Sequence, residues 1–355
     1  MRIGSRQIGQ GHRPYVIVEI GVNHDGDANR ACELVDEAAQ AGADAIKLQF
    51  FRADLLLSKA ASLASYQRDA GEAGPMEMLT RLELSVDELE AVAEHAHNLG
   101  LHAIVTVFSL ELVSAAQAMP WDAFKTASPD VVNKPLLEDL VACNRPMIVS
   151  TGTADRSEVE TAIEWLARCH DRLALMQCVS SYPTPEEWAS TEAIGDLMEL
   201  SRLPVGYSDH TPSVETGARA VRHGASLLEK HLTYSQDAAG PDHAASLEPP
   251  MLRMYIELAN EAFERRGSEP VPVERKQLLD IERDVREASR QSLVATRSLR
   301  VGHVIRREDL TVKRPGAGIP AKDLDRVVGL TLNEDVGEDE LLPKSLLEAP
   351  MASAV

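Results

Sequence analysis

Eight times between Tyr15 and about Arg266, a short apolar run gives way to a longer segment whose apolar residues recur at three-to-four spacing. The runs are 15–20, 45–50, 102–107, 123–125, 146–150, 173–177, 204–207 and 226–231. Segments such as 30–41 (RACELVDEAAQA) and 85–99 carry the periodicity of a helix laid on a sheet. Gly42, Gly100 and Gly224 stand where left-handed stops are expected. Eight strand–helix units in about 250 residues predict a TIM (β/α)8 barrel, an α/β fold whose active site lies at the carboxyl ends of its strands. A barrel domain is therefore expected over 1–266. Residues 267–288 are rich in proline and then in charge, and read as a linker running into a polar helix. From 289 to 350 short β-like runs alternate with turn residues (SLVATRSLRVGHVI, LTVKRPGAGIP), giving a small β-rich module. A unit of that size is marginal alone, so it is expected to dock on the barrel or on a second subunit.

The barrel assignment directs attention to strand ends. The polar residues at or just beyond each run are Glu19, Lys47 with Gln49, Thr106, Lys125 with Ser128, Ser150, Gln177 with Tyr182, Ser208 with His210, and His231. An isolated histidine there is ordinarily a polar stop to a strand. His210 in GYSDHT and His231 in EKHLTY each keep company with hydroxyl and carboxylate residues that a stop does not need, and two neutral imidazoles could share one divalent metal. Lys47 and Lys125 lie in apolar contexts (AIKLQFF, AFKTAS) where a lysine is costly to bury unpaired. The competing reading is that each snorkels or pairs with a neighbouring carboxylate. Taken together they suggest an anionic ligand, with hydroxyls from Thr106, Ser128, Ser150 and Ser208 and the backbone of Thr151-Gly152-Thr153 as further donors. Glu19 alternates onto the same face as Ile17, which points it inward as a candidate acid or base. Asp130 and Asp242 are carboxylates in loops, where aspartate is also common for turn-forming reasons.

Charge limits the partners. With 36 Lys plus Arg against 56 Asp plus Glu, the net charge of −20 argues against nucleic acid and anionic membranes, so an anionic substrate must meet locally placed cations. The four cysteines form no CxxC pair, the opening MRIGSRQIGQGHRP has no apolar signal core, and no run is long enough to span a bilayer. A cytoplasmic protein is expected. Strand six (LALMQC) lacks the lysine that Schiff-base aldolases of this fold commonly carry, so metal activation of a carbonyl fits better than imine chemistry.

EIGVNHDG, AIKLQF, FKTASPDVVNKPLL, STGTA, SSYPTP, GYSDHT, EKHLT and GPDHAASLEP occur in this order. In them the chain closely resembles the sialic acid synthase family, the phosphoenolpyruvate-dependent nonulosonate synthases. RQSLVATRSLRVGHVIRREDLTVKRPGAGI resembles the family's carboxyl-terminal antifreeze-like (SAF) domain. The resemblance implies condensation of phosphoenolpyruvate with an N-acyl hexosamine to a nine-carbon 2-keto-3-deoxy sugar acid, with release of phosphate. It implies that His210 and His231 hold Mn2+ or Mg2+, and that Lys47, Thr106, Lys125, Ser128, Ser150 and Ser208 bind phosphoenolpyruvate. It sets Glu19, Gln49, Asp130, Tyr182 and Asp242 around the acceptor sugar, with Glu19 as the proton carrier. Arg314 matches an arginine that reaches the acceptor site of the opposite subunit in a domain-swapped homodimer.

Departures from the family pattern are Val107 for a frequent proline, Pro129-Asp130 for the usual Gly-Glu or Gly-Asp, Thr153 at a common methionine position, Ala244 where many members have lysine, and 188–191 in place of the frequent EDVNL, the last of these on acceptor-side loops. The resemblance leaves two kinds of acceptor open, N-acetylmannosamine-like or 2,4-diacetamido-trideoxyhexose, giving a sialic, legionaminic or pseudaminic acid. Two other readings compete: a metal-dependent aldolase or lyase using free pyruvate, and an inactive carbohydrate-binding relative.

Overall fold

The computed structural model describes residues 1–267 and 271–348; positions 268–270 of the expected linker and 349–350 of the expected module lie outside the described residues. Eight parallel strands close into a barrel: β1 (Tyr15–Glu19), β2 (Ala45–Phe50), β3 (His102–Val107), β4 (Ala123–Thr126), β5 (Met147–Ser150), β6 (Leu173–Cys178), β7 (Val205–Asp209) and β8 (Leu227–His231). Closure is made by β8 against β1, with Leu227 opposite Tyr15 and His231 opposite Glu19. The TIM barrel expected from the repeat is present. Each strand lies within two residues of its expected bounds, and the left-handed stops at Gly42, Gly100 and Gly224 have φ of 90°, 80° and 109°.

The period-two alternation of each strand sorts two cores. Val16, Val18, Ile46 and Leu48 face outward onto Leu34 and Val35 of the helix Ala28–Ala41 and Leu89 and Val92 of the helix Val86–Asn98. Ile17, Ala45, Ile104, Ile148, Ala174 and Met176 face inward, and Ile3 and Ile8, from and beside the amino-terminal hairpin Arg2–Gln7, join them as a plug. The lower barrel is thus filled with hydrocarbon, which leaves only the carboxyl ends of the strands for chemistry. Outward charges on β7 and β8 also have a use. Asp209 and Lys230 are paired at 3.5 Å with both side chains fully buried, and the Lys230 amine also donates to the Thr211 carbonyl. They tie together the two strands that carry the histidines.

The carboxyl-terminal part has its own core of Leu293, Ile305, Leu310, Ile319, Leu332 and Leu342 around β9 (Ser292–Ala295) and β10 (Leu310–Lys313), which pair antiparallel. It docks on the barrel through a short parallel bridge in which Arg314 N–H donates to the Leu56 carbonyl at 2.9 Å and Ser58 N–H to the Arg314 carbonyl at 3.0 Å. Arg314 therefore enters the barrel of its own chain.

The segment joining the two parts is anchored by Glu158, whose carboxylate accepts four bonds of 2.7–2.9 Å from Arg286 and Arg290. Burial would raise its pKa, but the two guanidiniums overcome this and hold it at about 2, below the ordinary 4.5. A depressed carboxylate contributes stability in full above its unfolded pKa and loses it as pH falls through the folded one. Glu158→Gln is accordingly expected to cost about 2–3 kcal/mol at pH 7, with the difference from wild type shrinking between about pH 4.5 and 2. Urea unfolding at several pH values measures this, and a gap that stays constant with pH would contradict it.

Candidate active site

One cavity opens at the carboxyl ends of the barrel strands. Its lining includes every residue to which the family resemblance gives a role except Asp130: Glu19, Gln49, Tyr182, Asp242 and Arg314, the two histidines, and the two lysines with Thr106, Ser128, Ser150 and Ser208. Asp130 lies buried just outside the lining. Its carboxylate accepts from Asn133 at 3.3 Å and from Gln291 at 3.2 Å, and burial lifts it to about 7 against the opposing pull of Arg314 and Asn133. Gln177 does not belong to the site: it alternates outward from Met176, and its amide donates to the Ser190 carbonyl. It sits one residue out of phase with the inward face.

The lysines are buried and do not snorkel; both are paired with carboxylates, as the competing reading of the sequence had it. Lys47 contacts Glu19, lies 3.8 Å from Glu229 and 3.1 Å from the Thr106 hydroxyl. Lys125 donates to the Ser150 hydroxyl at 2.5 Å and to the Thr126 carbonyl at 3.1 Å, and lies 3.6 Å from Glu229. Glu229 also accepts from the Ser208 hydroxyl at 2.9 Å. Burial opposes ionisation of Glu229, but Lys125 and Lys47 outweigh it and hold its carboxyl below the ordinary value. Burial dominates at Glu19 and raises it to about 7, although Lys47 and the Gly21 N–H, at 2.8 Å, favour the anion. A carboxyl near neutrality at the rim can both take and return a proton. Burial lowers the Lys125 ammonium below its usual range, whereas at Lys47 the carboxylates overcome burial and raise it.

Opposite the lysines stand the histidines, ring centroids 5.4 Å apart. His210 Nδ1 lies 2.9 Å from the Val179 carbonyl; since only N–H can bond to that oxygen, Nε2 is left as the acceptor nitrogen. His231 Nδ1 is buried with no hydrogen-bond partner, and Asp242 lies 3.6 Å from it. Burial, reinforced by His210, lowers the pKa of His231 well below the ordinary 6.5, while at His210 burial is outweighed by Cys178 and the Val179 carbonyl. An orphaned imidazole nitrogen beside a second imidazole of fixed tautomer is a donor set suited to a divalent ion. Among the described residues no three His, Cys, Asp or Glu side chains converge as a complete ligand cage, so remaining ligands would come from substrate and water.

The acceptor side is mixed. Tyr182 packs on His210 at a centroid distance of 4.1 Å and on Tyr66 at 4.9 Å. The Arg314 guanidinium stands over Phe108 at 5.6 Å, and its Nε is buried without a partner. Val22, Phe51, Leu56, Leu79 and Phe108 complete an apolar wall.

Among the lining residues that the sequence reading missed are Glu229, Ser180 and Tyr66. Glu229 was within reach, because it stands two residues before His231 and must share its face of β8. Tyr66 sits on a five-residue helix, Ser65–Asp69, inside a long β2–β3 connection, and carries no local signal.

Comparison with known proteins agrees with this picture. The NeuB family matches over residues 34–270 and the SAF domain over 290–348. The N,N'-diacetyllegionaminic acid synthase of Legionella pneumophila is 34% identical, covering 94% of this chain and 95% of that protein. Among solved structures, the spore coat polysaccharide biosynthesis protein SpsE of Bacillus subtilis superposes with a TM-score of 0.83 at 27% identity, covering 96% of this chain and 97% of that one. The N-acetylneuraminic acid synthetase of Leptospira borgpetersenii superposes with a TM-score of 0.68 at 28% identity, covering 80% and 94%.

Proposed function

The chain belongs to the NeuB family and carries a SAF domain, and from that premise we propose that it condenses phosphoenolpyruvate with an N-acylated aminohexose to a nine-carbon 2-keto-3-deoxy sugar acid and phosphate. The observation that carries the reading is the facing of two buried lysines, set in a rim of hydroxyls, against two buried histidines across one cavity. The lysines with Thr106, Ser128, Ser150 and Ser208 suit a phosphate and carboxylate; the histidines with Glu19 and Asp242 suit a carbonyl and its protons.

His210 and His231 would hold Mn2+ or Mg2+, which when bound supplies Lewis acidity to the acceptor's aldehyde oxygen. In the reaction, C3 of phosphoenolpyruvate bonds to C1 of the open-chain sugar, leaving positive charge at C2. Water adds at C2, and the tetrahedral intermediate expels phosphate by C–O cleavage to give the 2-keto acid. Lys47 and Lys125 bind the anionic donor and stabilise the departing phosphate. Glu229 lies between them, and its carboxylate offsets the charge that develops at C2. Glu19, with its pKa raised to about 7, takes the proton of the attacking water and supplies one to the former aldehyde oxygen as it becomes a hydroxyl. Tyr182 and the apolar wall exclude bulk water from the cation.

The acceptor we propose is a 2,4-diacetamido-trideoxyhexose. Val22, Leu56, Leu79 and Phe108 favour acyl and deoxy-methyl groups over a charged substituent, and the synthase of Legionella named above makes a diacetylated product. Incubation with phosphoenolpyruvate and a panel of N-acetylmannosamine, its 6-phosphate and the diacetamido sugars, read by product mass, tests this. Preferential turnover of the 6-phosphate would overturn the acceptor assignment.

Arg314 is assigned to the acceptor through its unpartnered Nε. Exchange of SAF domains in a homodimer would remake the Leu56–Arg314–Ser58 bridge between subunits without loss of a contact. Arg314→Ala is expected to raise the acceptor KM about tenfold or more and leave that of phosphoenolpyruvate unchanged. Mixing it with His231→Ala chains is expected to restore part of the activity; failure to do so would argue for a site closed within one chain.

A further inference from the structure

The segment 271–289 lies between the two matched regions and belongs to neither. It reads as a charged linker, yet Glu282 is fully buried and Lys276 nearly so. The Glu282 carboxylate reaches into the barrel rim, where one oxygen accepts the backbone N–H of Thr153 at 2.8 Å and of Ser180 at 2.9 Å. The other oxygen accepts the Leu279 N–H at 3.1 Å. Lys276 secures the same region: its N–H bonds to Asp196 at 3.0 Å and its ammonium to the Cys178 carbonyl at 3.3 Å. The opposite side of the Thr153 peptide is held by the same segment, for its carbonyl accepts from Arg286 at 2.6 Å and Arg290 at 3.0 Å. Thr153 has φ of 57°, a left-handed conformation unusual for a branched residue, so these bonds fix a backbone that its own preference would not.

These two loops matter because of what they carry. Thr153 follows Gly152, whose backbone is so close to two hydroxyls that a Cβ there would stand 2.3 Å from Ser180 Oγ and 2.7 Å from Ser128 Oγ. Ser150 ends the same strand and receives Lys125. One buried carboxylate thus joins the β5 loop to the β6 loop at the place where the hydroxyl rim turns toward the lysines. A charged acceptor of several N–H groups is a strong and directional anchor.

We propose that Glu282 is a positioning residue for the donor anion: the linker carboxylate sets the spacing of Gly152 and Ser180 and so shapes the phosphate half of the cavity. The inference rests on the reading that phosphoenolpyruvate is the donor. With an NH2 in place of one oxygen, Glu282→Gln either turns that donor toward the Thr153 and Ser180 N–H groups or, keeping its carbonyl oxygen on them, sets it against the Leu279 N–H and loses the negative charge that strengthens both rim bonds, and the loops loosen.

Calorimetric titration of the full-length protein with phosphoenolpyruvate, and separately with inorganic phosphate, tests the proposal. Glu282→Gln is expected to weaken both ligands by about tenfold or more, with hydrogen exchange accelerated at the amides of Thr153 and Ser180 and the acceptor KM unchanged. Glu282→Asp keeps the charge with a shorter reach and is expected to fall between, which guards against a glutamine variant that does not fold. Arg283→Ala removes an exposed ion pair with Asp280 in the same segment, away from the Thr153 peptide, and is expected to leave both affinities within about twofold. Wild-type affinity in both Glu282 variants, or equal weakening in Arg283→Ala, would overturn the proposal. Wild-type protein that binds phosphate but not phosphoenolpyruvate would refute the donor reading alone, with the proposal still decided by the phosphate ratio; binding of neither would refute both.

Discussion

His231→Ala is expected to lower kcat/KM by roughly 10^3-fold or more while leaving the melting temperature close to that of wild type. The two halves of this expectation have one source. In the folded chain His231 Nδ1 has no hydrogen-bond partner, so the imidazole contributes little polar bonding that the fold would lose. Its removal takes away one of two nitrogens facing the acceptor and leaves His210 alone. Steady-state kinetics beside differential scanning calorimetry checks both halves. Metal affinity should fall with activity, so titration of the apo variant with Mn2+ separates loss of the ion from loss of substrate contact. Unchanged Mn2+ affinity would mean that the histidines do not act as a pair.

Lys47→Met is expected to damage both activity and stability. Lys47 lies between Glu19 and Glu229, and all three side chains are at most 6% exposed, so screening by water is slight. Its loss leaves the buried Glu19 without a cation and next to Glu229, which keeps Lys125 at 3.6 Å. Breaking a buried pair from one side costs about 3–5 kcal/mol, and one carboxyl should respond by staying protonated. The variant should therefore recover stability as pH falls, the reverse of the usual acid response, because the uncompensated anion is then neutralised. Adding Glu19→Gln should return much of the stability without restoring turnover, because Glu229 then remains paired with Lys125. Urea unfolding of the two variants at pH 5 and 8 measures this coupling. Equal stability of both at both pH values would show that the three groups do not share one charge balance.

How much of this was legible in the chain differs by element. The barrel was, because each strand states its inward and outward faces through alternation, and Ile17 and Glu19 obeyed it. The same rule, carried one step further along β8, yields Glu229. It also corrects Gln177, a polar strand end that faces outward. Lys47 and Lys125 were visible as charges in apolar runs, but their partners were not. Glu19 meets Lys47 from the adjacent strand as its register partner, and Glu229 reaches both lysines from β8; strand register and barrel closure set these contacts, and no local spacing encodes them. Asp130 resembled a lining carboxylate from its place after Ser128, yet Asn133 and Gln291 hold it just outside the cavity. The linker misled most. Its charges read as solvated, whereas Glu282 and Lys276 are buried against backbone groups of the barrel rim, and backbone N–H groups leave no mark in a sequence.

The measurement that bears most directly on the account is release of inorganic phosphate with both substrates and with each alone. With Mn2+ present, phosphate is expected only when phosphoenolpyruvate and an N-acylated aminohexose are supplied together, in a one-to-one ratio with the nine-carbon keto acid. Consumption of free pyruvate with the same acceptor, and no phosphate from phosphoenolpyruvate, would contradict it and make the protein an aldolase instead.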